Sequence, residues 1–103
     1  MPLGESFAAL ADPTRRAVVE RLALGPATVG VLAEPHPMSL PAFSKHLSVL
    51  TDAGIVRRRK VGRTVVCSLE PGALEDLAAW VAETTAYWHA ALDRLEQVLE
   101  EDA

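Results

Sequence analysis

A single cysteine, Cys67, in 103 residues leaves the chain unable to close an internal disulfide or to build an all-thiolate metal site. Such sparing use of thiols fits a reducing compartment, so a cytoplasmic protein is expected. No run approaches the roughly 18 apolar residues that a membrane span needs. The opening Met1-Pro2-Leu3-Gly4-Glu5 has no basic segment followed by an apolar one, so neither secretion nor a membrane partner is expected. Equally missing are a Gly-rich phosphate loop, a Gly-x-Ser-x-Gly elbow and a His-Glu-x-x-His pair, and without them an enzyme is not expected. Aromatic residues make up only 5% of the chain, yet 50% of it is hydrophobic, far too much for a disordered polymer. Its length suits one compact domain over residues 1–103 and excludes two.

The net charge of -4 argues, taken as a whole, against a polyanionic partner, but its distribution reverses that reading. Residues 1–40 hold three basic against four acidic residues, a net -1. Residues 41–65 hold Lys45, Arg57, Arg58, Arg59, Lys60 and Arg63 against Asp52 alone, a net +5. Residues 66–103 set Arg94 against nine carboxylates, a net -8. A basic middle beside an acidic tail gives the chain one face suited to a polyanion and another that repels it.

Local signals divide the chain into helices and one hairpin. Phe7, Leu10 and Ala11 fall at helical spacing over Glu5 to Ala11, a short first helix. Asp12-Pro13 then starts a second, with Asp as N-cap and Pro at a position whose amide has no helical partner; it should run to Leu24 and stop at Gly25-Pro26. Thr28 to Glu34 reads as a further short helix, closed by Pro35 and Pro37, and His36 between those prolines should be exposed. Ser39 caps a helix from Leu40 to Asp52 with Phe43, Leu47 and Leu50 inward, ended by Gly54. Ile55 to Lys60 and Thr64 to Leu69 form a two-stranded ribbon around Val61-Gly62-Arg63, which places Cys67 on the second strand as a buried apolar thiol. From Pro71 the chain is helical nearly to its end. There Leu74, Ala78, Val81, Thr85, Trp88, Leu92, Leu95 and Leu99 recur at alternating steps of four and three, a heptad-like seam for a partner helix, widened by Leu77, Trp80, Ala91 and Val98.

This order predicts a mainly α fold with a small β-hairpin wing, the plan of a winged helix-turn-helix. An α-helix fits the major groove, and its outward face must offer hydrogen-bonding groups to base edges. The outward candidates are Ser39, Pro41, Ala42, Ser44, Lys45, His46 and Ser48. His46 has two readings, a DNA contact or a partly buried residue bonded within the protein. On the wing, alternation divides the arginines between two faces. Arg59 and Arg63, nearest the tip, are the leading phosphate or minor-groove candidates, and Arg57 shares a face with Arg59.

Three segments carry a family resemblance. They are Phe7 to Arg16 (FAALADPTRR), Ser44 to Leu50 (SKHLSVL) followed by Ala53-Gly54-Ile55-Val56, and Arg57 to Arg63 (RRRKVGR). In this order and at these distances the chain resembles the ArsR family of bacterial winged-helix transcription regulators over nearly its whole length. The resemblance implies a homodimer paired through the first and last helices, with Phe7, Leu10, Leu74, Val81, Trp88, Leu92, Leu95 and Leu99 in the interface. It also implies repression from a roughly palindromic site on double-stranded DNA. The tail from Trp88 to Leu95 resembles the branch without obvious metal sites. The family's Cys-Val-Cys motif would fall on Thr28-Val29-Gly30, and its last-helix ligands on Asp76, Ala78, His89 and Leu92, of which only two can ligate. No metal and no cofactor are therefore expected, and His89 reads as an interface residue. Where many relatives carry a glutamine able to read adenine, this chain has Leu40, so base reading must rest on Ser44, Lys45, His46 and Ser48, thymine contact from Ala42, and DNA shape. Two other readings stand beside the regulator: a winged helix that binds protein, which would have no need of the +5 block, and a repressor answering to a metal or to a small-molecule inducer, which ligand would release from DNA.

Overall fold

Asp12 sets the first corner of the fold. In the computed structural model, which describes residues 3–101, helix α1 spans Leu3–Leu10 and α2 spans Pro13–Leu22. Met1, Pro2 and Asp102, counted in the sequence reading, lie outside the described residues. Asp12 holds an extended backbone and its carboxylate accepts from the Arg15 amide at 3.0 Å, the expected N-cap. The side chains of Arg15 and Arg16 fold back to cap the other helix. Arg15 donates from Nε to the Ala9 carbonyl at 2.6 Å, and Arg16 donates from Nη1 to the Leu10 and Ala11 carbonyls at 3.0 Å each. The orphan carbonyls at the end of α1 are thus met by guanidinium groups, and two short helices are locked at a fixed angle. Helix α2 ends two residues before its expected stop because Leu24 and Gly25 already bond in a tighter turn to Arg21 and Leu22.

Helix α3 spans Val29–Ala33, with Thr28 as its cap rather than its first residue, and α4 spans Leu40–Asp52, capped by Ser39 with the Ser hydroxyl accepting from the Ala42 amide at 3.2 Å. Strand β2 spans Val56–Val61 and β3 spans Thr64–Leu69. The expected two-stranded ribbon is a three-stranded sheet: β1, Ala27–Thr28, pairs antiparallel with β3, giving the order β1-β3-β2. Two residues carry no period of their own, so this strand exists only through pairing with residues some 40 positions away, Ala27 against Cys67 and Thr28 against Val66. At the wing tip Gly62 adopts φ +62 ahead of Arg63, the left-handed first position that a two-residue Gly-x hairpin turn requires.

Every element contributes to one core. Val18, Leu32, Phe43, Leu47, Leu50, Ile55 and Cys67 are all but sealed from solvent. Phe43, Leu47 and Leu50 recur at i, i+4 and i+7, which turns one stripe of α4 inward and leaves the opposite face free. Helix α5, Ala73–Glu101, departs from this pattern, since only Ala73 and Leu77 are buried. Its 29 residues extend about 43 Å at 1.5 Å per residue. The molecule accordingly measures 69 × 27 × 22 Å with a radius of gyration of 19.0 Å, against about 13 Å for a compact chain of this length. Among the described residues no helix is long and apolar enough to cross a membrane.

Candidate nucleic-acid interface

The face of α4 left outside the core carries Leu40, Pro41 and Lys45 in the open, with Ala42, Ser44, His46 and Ser48 half-buried and Ser39 exposed at the cap. Beside Ala42 and Ser44 lies a buried anchor: Phe43 packs under His36, ring centroids 5.7 Å apart and nearly parallel. His36 is therefore half-buried rather than exposed, because stacking on Phe43 removes one of its faces from water.

His46 faces back toward the α1–α2 corner. Its Nδ1 lies 3.2 Å from Arg15 Nη1 and 3.6 Å from Asp12 Oδ2. In the neutral tautomer that accepts from Arg15 at Nδ1, the proton sits on Nε2, where it is free to donate elsewhere. Both readings of His46 thus survive in one side chain. The Arg15 amide bonded to the Asp12 carboxylate holds that carboxyl below its usual range, aided by His46 and opposed by partial loss of water. A single cluster of Asp12, Arg15 and His46 ties α4 to the corner between the first two helices. Sequence reasoning placed Asp12 as a cap and missed Arg15, whose role depends on carbonyls and a histidine far from it in sequence.

The wing divides its basic residues by face. Directly paired residues in an antiparallel sheet point to the same side, and Arg58 stands opposite the buried Cys67, while Arg59 stands opposite Val66. Val56, Arg58 and Lys60 therefore share the side that packs toward α4, and Arg57 and Arg59 take the other, as alternation requires. Arg57 is engaged within the protein. Its guanidinium donates from Nε to Glu70 Oε2 at 3.0 Å and from Nη2 to Glu70 Oε1, a bidentate pair. Each partner favours the other's charged form: Arg57 holds the Glu70 carboxyl below its usual range, and Glu70 raises the guanidinium. Arg57 and Arg59 share a face, as expected, and the charge of Arg57 is met by Glu70.

Between α4, the start of α3 and the inward side of the wing runs a groove of about 530 Å³, bordered by Thr28, Leu40, Ser44, Arg58, Arg63 and Thr64 among others. It brings together Ser44 and Arg63, two of the expected site residues, with Arg58, which the sequence reading passed over. The signal for Arg58 was present in the alternation: once Val56 is taken as core, the second residue after it must share its side. Cys67, beneath this groove, is fully buried, and burial pushes its thiol up despite the nearby Arg58. Asp76 and His89, both exposed on α5, are 13 residues and so about 20 Å apart along the helix, too far to share one ion within a chain.

The remaining feature is the outer half of α5. Trp88, Leu92, Leu95 and Leu99 are each more than half exposed, as are Tyr87 and Val98. Nearer the core, Phe7 meets Trp80 edge to face at 5.2 Å, and Leu10 and Leu74 pack partly on the chain's own core, while Val81 is open. The expected partner surface is thus graded: its first positions are largely used within the chain, and its last four are not.

Comparison with known proteins agrees with this geometry. A family model described as a helix-turn-helix domain matches residues 10–59, the span from the end of α1 through α4 into the wing. The chain is 43% identical over 97 residues to the HTH-type transcriptional regulator Rv2034 of Mycobacterium tuberculosis, covering 94% of this chain and 88% of that protein. It superposes on the crystal structure of an ArsR family transcriptional regulator with a TM-score of 0.79 at 48% identity, over 84% of this chain and 96% of that one. It also matches the homodimeric winged helix-turn-helix DNA-binding domain of Mb0332 from Mycobacterium bovis, solved by NMR, with a TM-score of 0.66 at 26% identity, over 85% and 81%. With this sequence likeness and this fold, the chain belongs to the ArsR family of winged helix-turn-helix transcriptional regulators.

Proposed function

We propose that the protein is a cytoplasmic homodimeric repressor that sits on a roughly palindromic operator, with α4 in the major groove and the wing along the backbone. The observation that carries this reading is the groove itself, where the free face of α4 and the arginines of the wing border one concave, basic surface. The dimer is supported by the exposed stripe of α5, since a row of large apolar side chains in water is the mark of an interface. Two-fold symmetry would set the recognition helices about 34 Å apart, one turn of DNA. The carboxylates of α5, opposite in sign to the basic wing, disfavour its approach to the duplex and so orient the dimer. Lys45, exposed at the middle of the free face, is the residue best placed to reach a base edge. Lys45→Ala is expected to cost roughly 1 to 3 kcal/mol on a duplex from upstream of the gene and much less on a scrambled duplex. Fluorescence anisotropy on both duplexes decides this, and equal losses would move Lys45 from base reading to phosphate contact.

A further inference from the structure

The wing has more arginines than the tip can use, and its two faces treat them differently. Arg57, on the outer face, is held by Glu70 through two hydrogen bonds. Arg58 is exposed, stands on the side that faces α4 and borders the groove together with Arg63. Among the described residues neither Arg58 nor Arg63 has a side-chain hydrogen bond or an ion pair. Two unpaired guanidinium groups therefore look across the same groove at the hydroxyls of Ser44, Thr28 and Thr64, a set of donors with no carboxylate among them. Donors of this kind match the oxygens of a phosphate, which guanidinium binds in bidentate fashion and hydroxyls complete.

We propose that this groove is the seat of one DNA backbone phosphate per subunit, with Arg58 as its main ligand and Ser44 and Arg63 as supporting donors, and that Glu70 withholds Arg57 from the DNA. The inference rests on the DNA-binding reading above and adds a division of labour to it. The inward face of the wing clamps the strand that passes the start of α4, so the phosphate sets how deeply that helix enters the groove. The Arg57–Glu70 pair lies on the other face of the wing and takes no part in the groove. Leu40 forms the apolar border of the same groove and offers no hydrogen bond to a base, which makes a backbone contact the natural use of this end of α4.

The test is the salt dependence of duplex binding by the full chain. Wild type, Arg58→Gln, Arg58→Lys and Arg57→Gln are compared by anisotropy at several salt concentrations, with folding checked by circular dichroism. Each phosphate contact contributes roughly 0.9 to the slope of log K against log salt. Arg58→Gln is expected to lower the slope by about that amount per subunit on native and scrambled duplexes alike, Arg58→Lys to restore it, and Arg57→Gln to leave it at the wild-type value. A wild-type slope in Arg58→Gln, or a loss in Arg57→Gln alone, overturns the assignment while leaving DNA binding intact. A wild-type chain that binds no duplex at any salt removes the DNA reading and this inference with it. Calorimetric titration of the DNA-free protein with inorganic pyrophosphate separates the two sources of phosphate. Micromolar pyrophosphate binding that needs Arg58, with an unchanged duplex slope, would give the groove to a free anion instead.

Discussion

Leu95→Glu is expected to leave a folded monomer that has lost operator binding. Leu95 is 55% exposed in the single chain, so a carboxylate there disturbs no contact of the subunit's own core. In an interface with two-fold symmetry the change enters twice, once from each subunit. A buried, unpaired carboxylate costs several kcal/mol, enough to dissociate a dimer held by a stripe this narrow. Operator binding goes with it, because two half-sites are then no longer held one helical turn apart and each subunit must bind alone. Sedimentation velocity reads the first effect and anisotropy the second. The contrast between an intact circular dichroism spectrum and a halved mass is what distinguishes an interface residue from a core residue. A Leu95→Glu chain that still sediments as a dimer would show that the subunits pair elsewhere.

The other large effect is expected at the base of α4. Phe43 is 1% exposed, anchors α4 in the core and supports the ring of His36. Phe43→Ala should lower stability by about 3 to 5 kcal/mol, since both the transfer of the ring from water and the cavity left behind count against the folded state. That is a large share of the roughly 5 to 15 kcal/mol that holds a typical domain together. The same substitution frees the start of α4, where Ser39, Pro41, Ala42 and Ser44 lie, so DNA affinity should fall even at temperatures where the chain remains folded. Denaturant unfolding at fixed protein concentration checks the magnitude, a condition that matters because dimerisation itself adds to stability. A loss below about 1 kcal/mol would mean that α4 is held mainly by Leu47 and Leu50, and that Phe43 is not its anchor.

Much of this architecture was legible because its signals are local. The caps at Asp12 and Ser39, the stop at Gly54, the turn at Gly62 and the i, i+4, i+7 stripe of α4 each require only a few neighbouring residues, and each appears where the pattern puts it. What escaped depends on partners distant in sequence. Ala27–Thr28 is a strand only because β3 lies beside it, and no window of residues around it carries that information. Arg15 reads as one more surface charge until α1 and α4 are placed around it, with the Ala9 carbonyl on one side and His46 on another. Arg57 and Arg58 are adjacent and identical in type, yet one is paired with Glu70 and the other borders a groove. The alternation of the strand separates them, and only the position of Glu70, one residue past β3, decides which of the two is engaged. In the long last helix, the heptad pattern marked the whole seam alike, whereas packing on the core engages Leu74 and Leu77 and leaves Trp88, Leu92, Leu95 and Leu99 in the open.

The most direct test is the binding of the purified protein to a duplex from its own upstream region and to a scrambled duplex of equal length, by fluorescence anisotropy at three salt concentrations. A dimeric regulator that reads sequence through α4 and backbone through the wing should bind the native duplex more tightly than the scrambled one, with both affinities falling steeply as salt rises. A folded dimer that binds neither duplex, or binds both with no dependence on salt, would contradict that role and assign the basic wing and the free face of α4 to a protein partner.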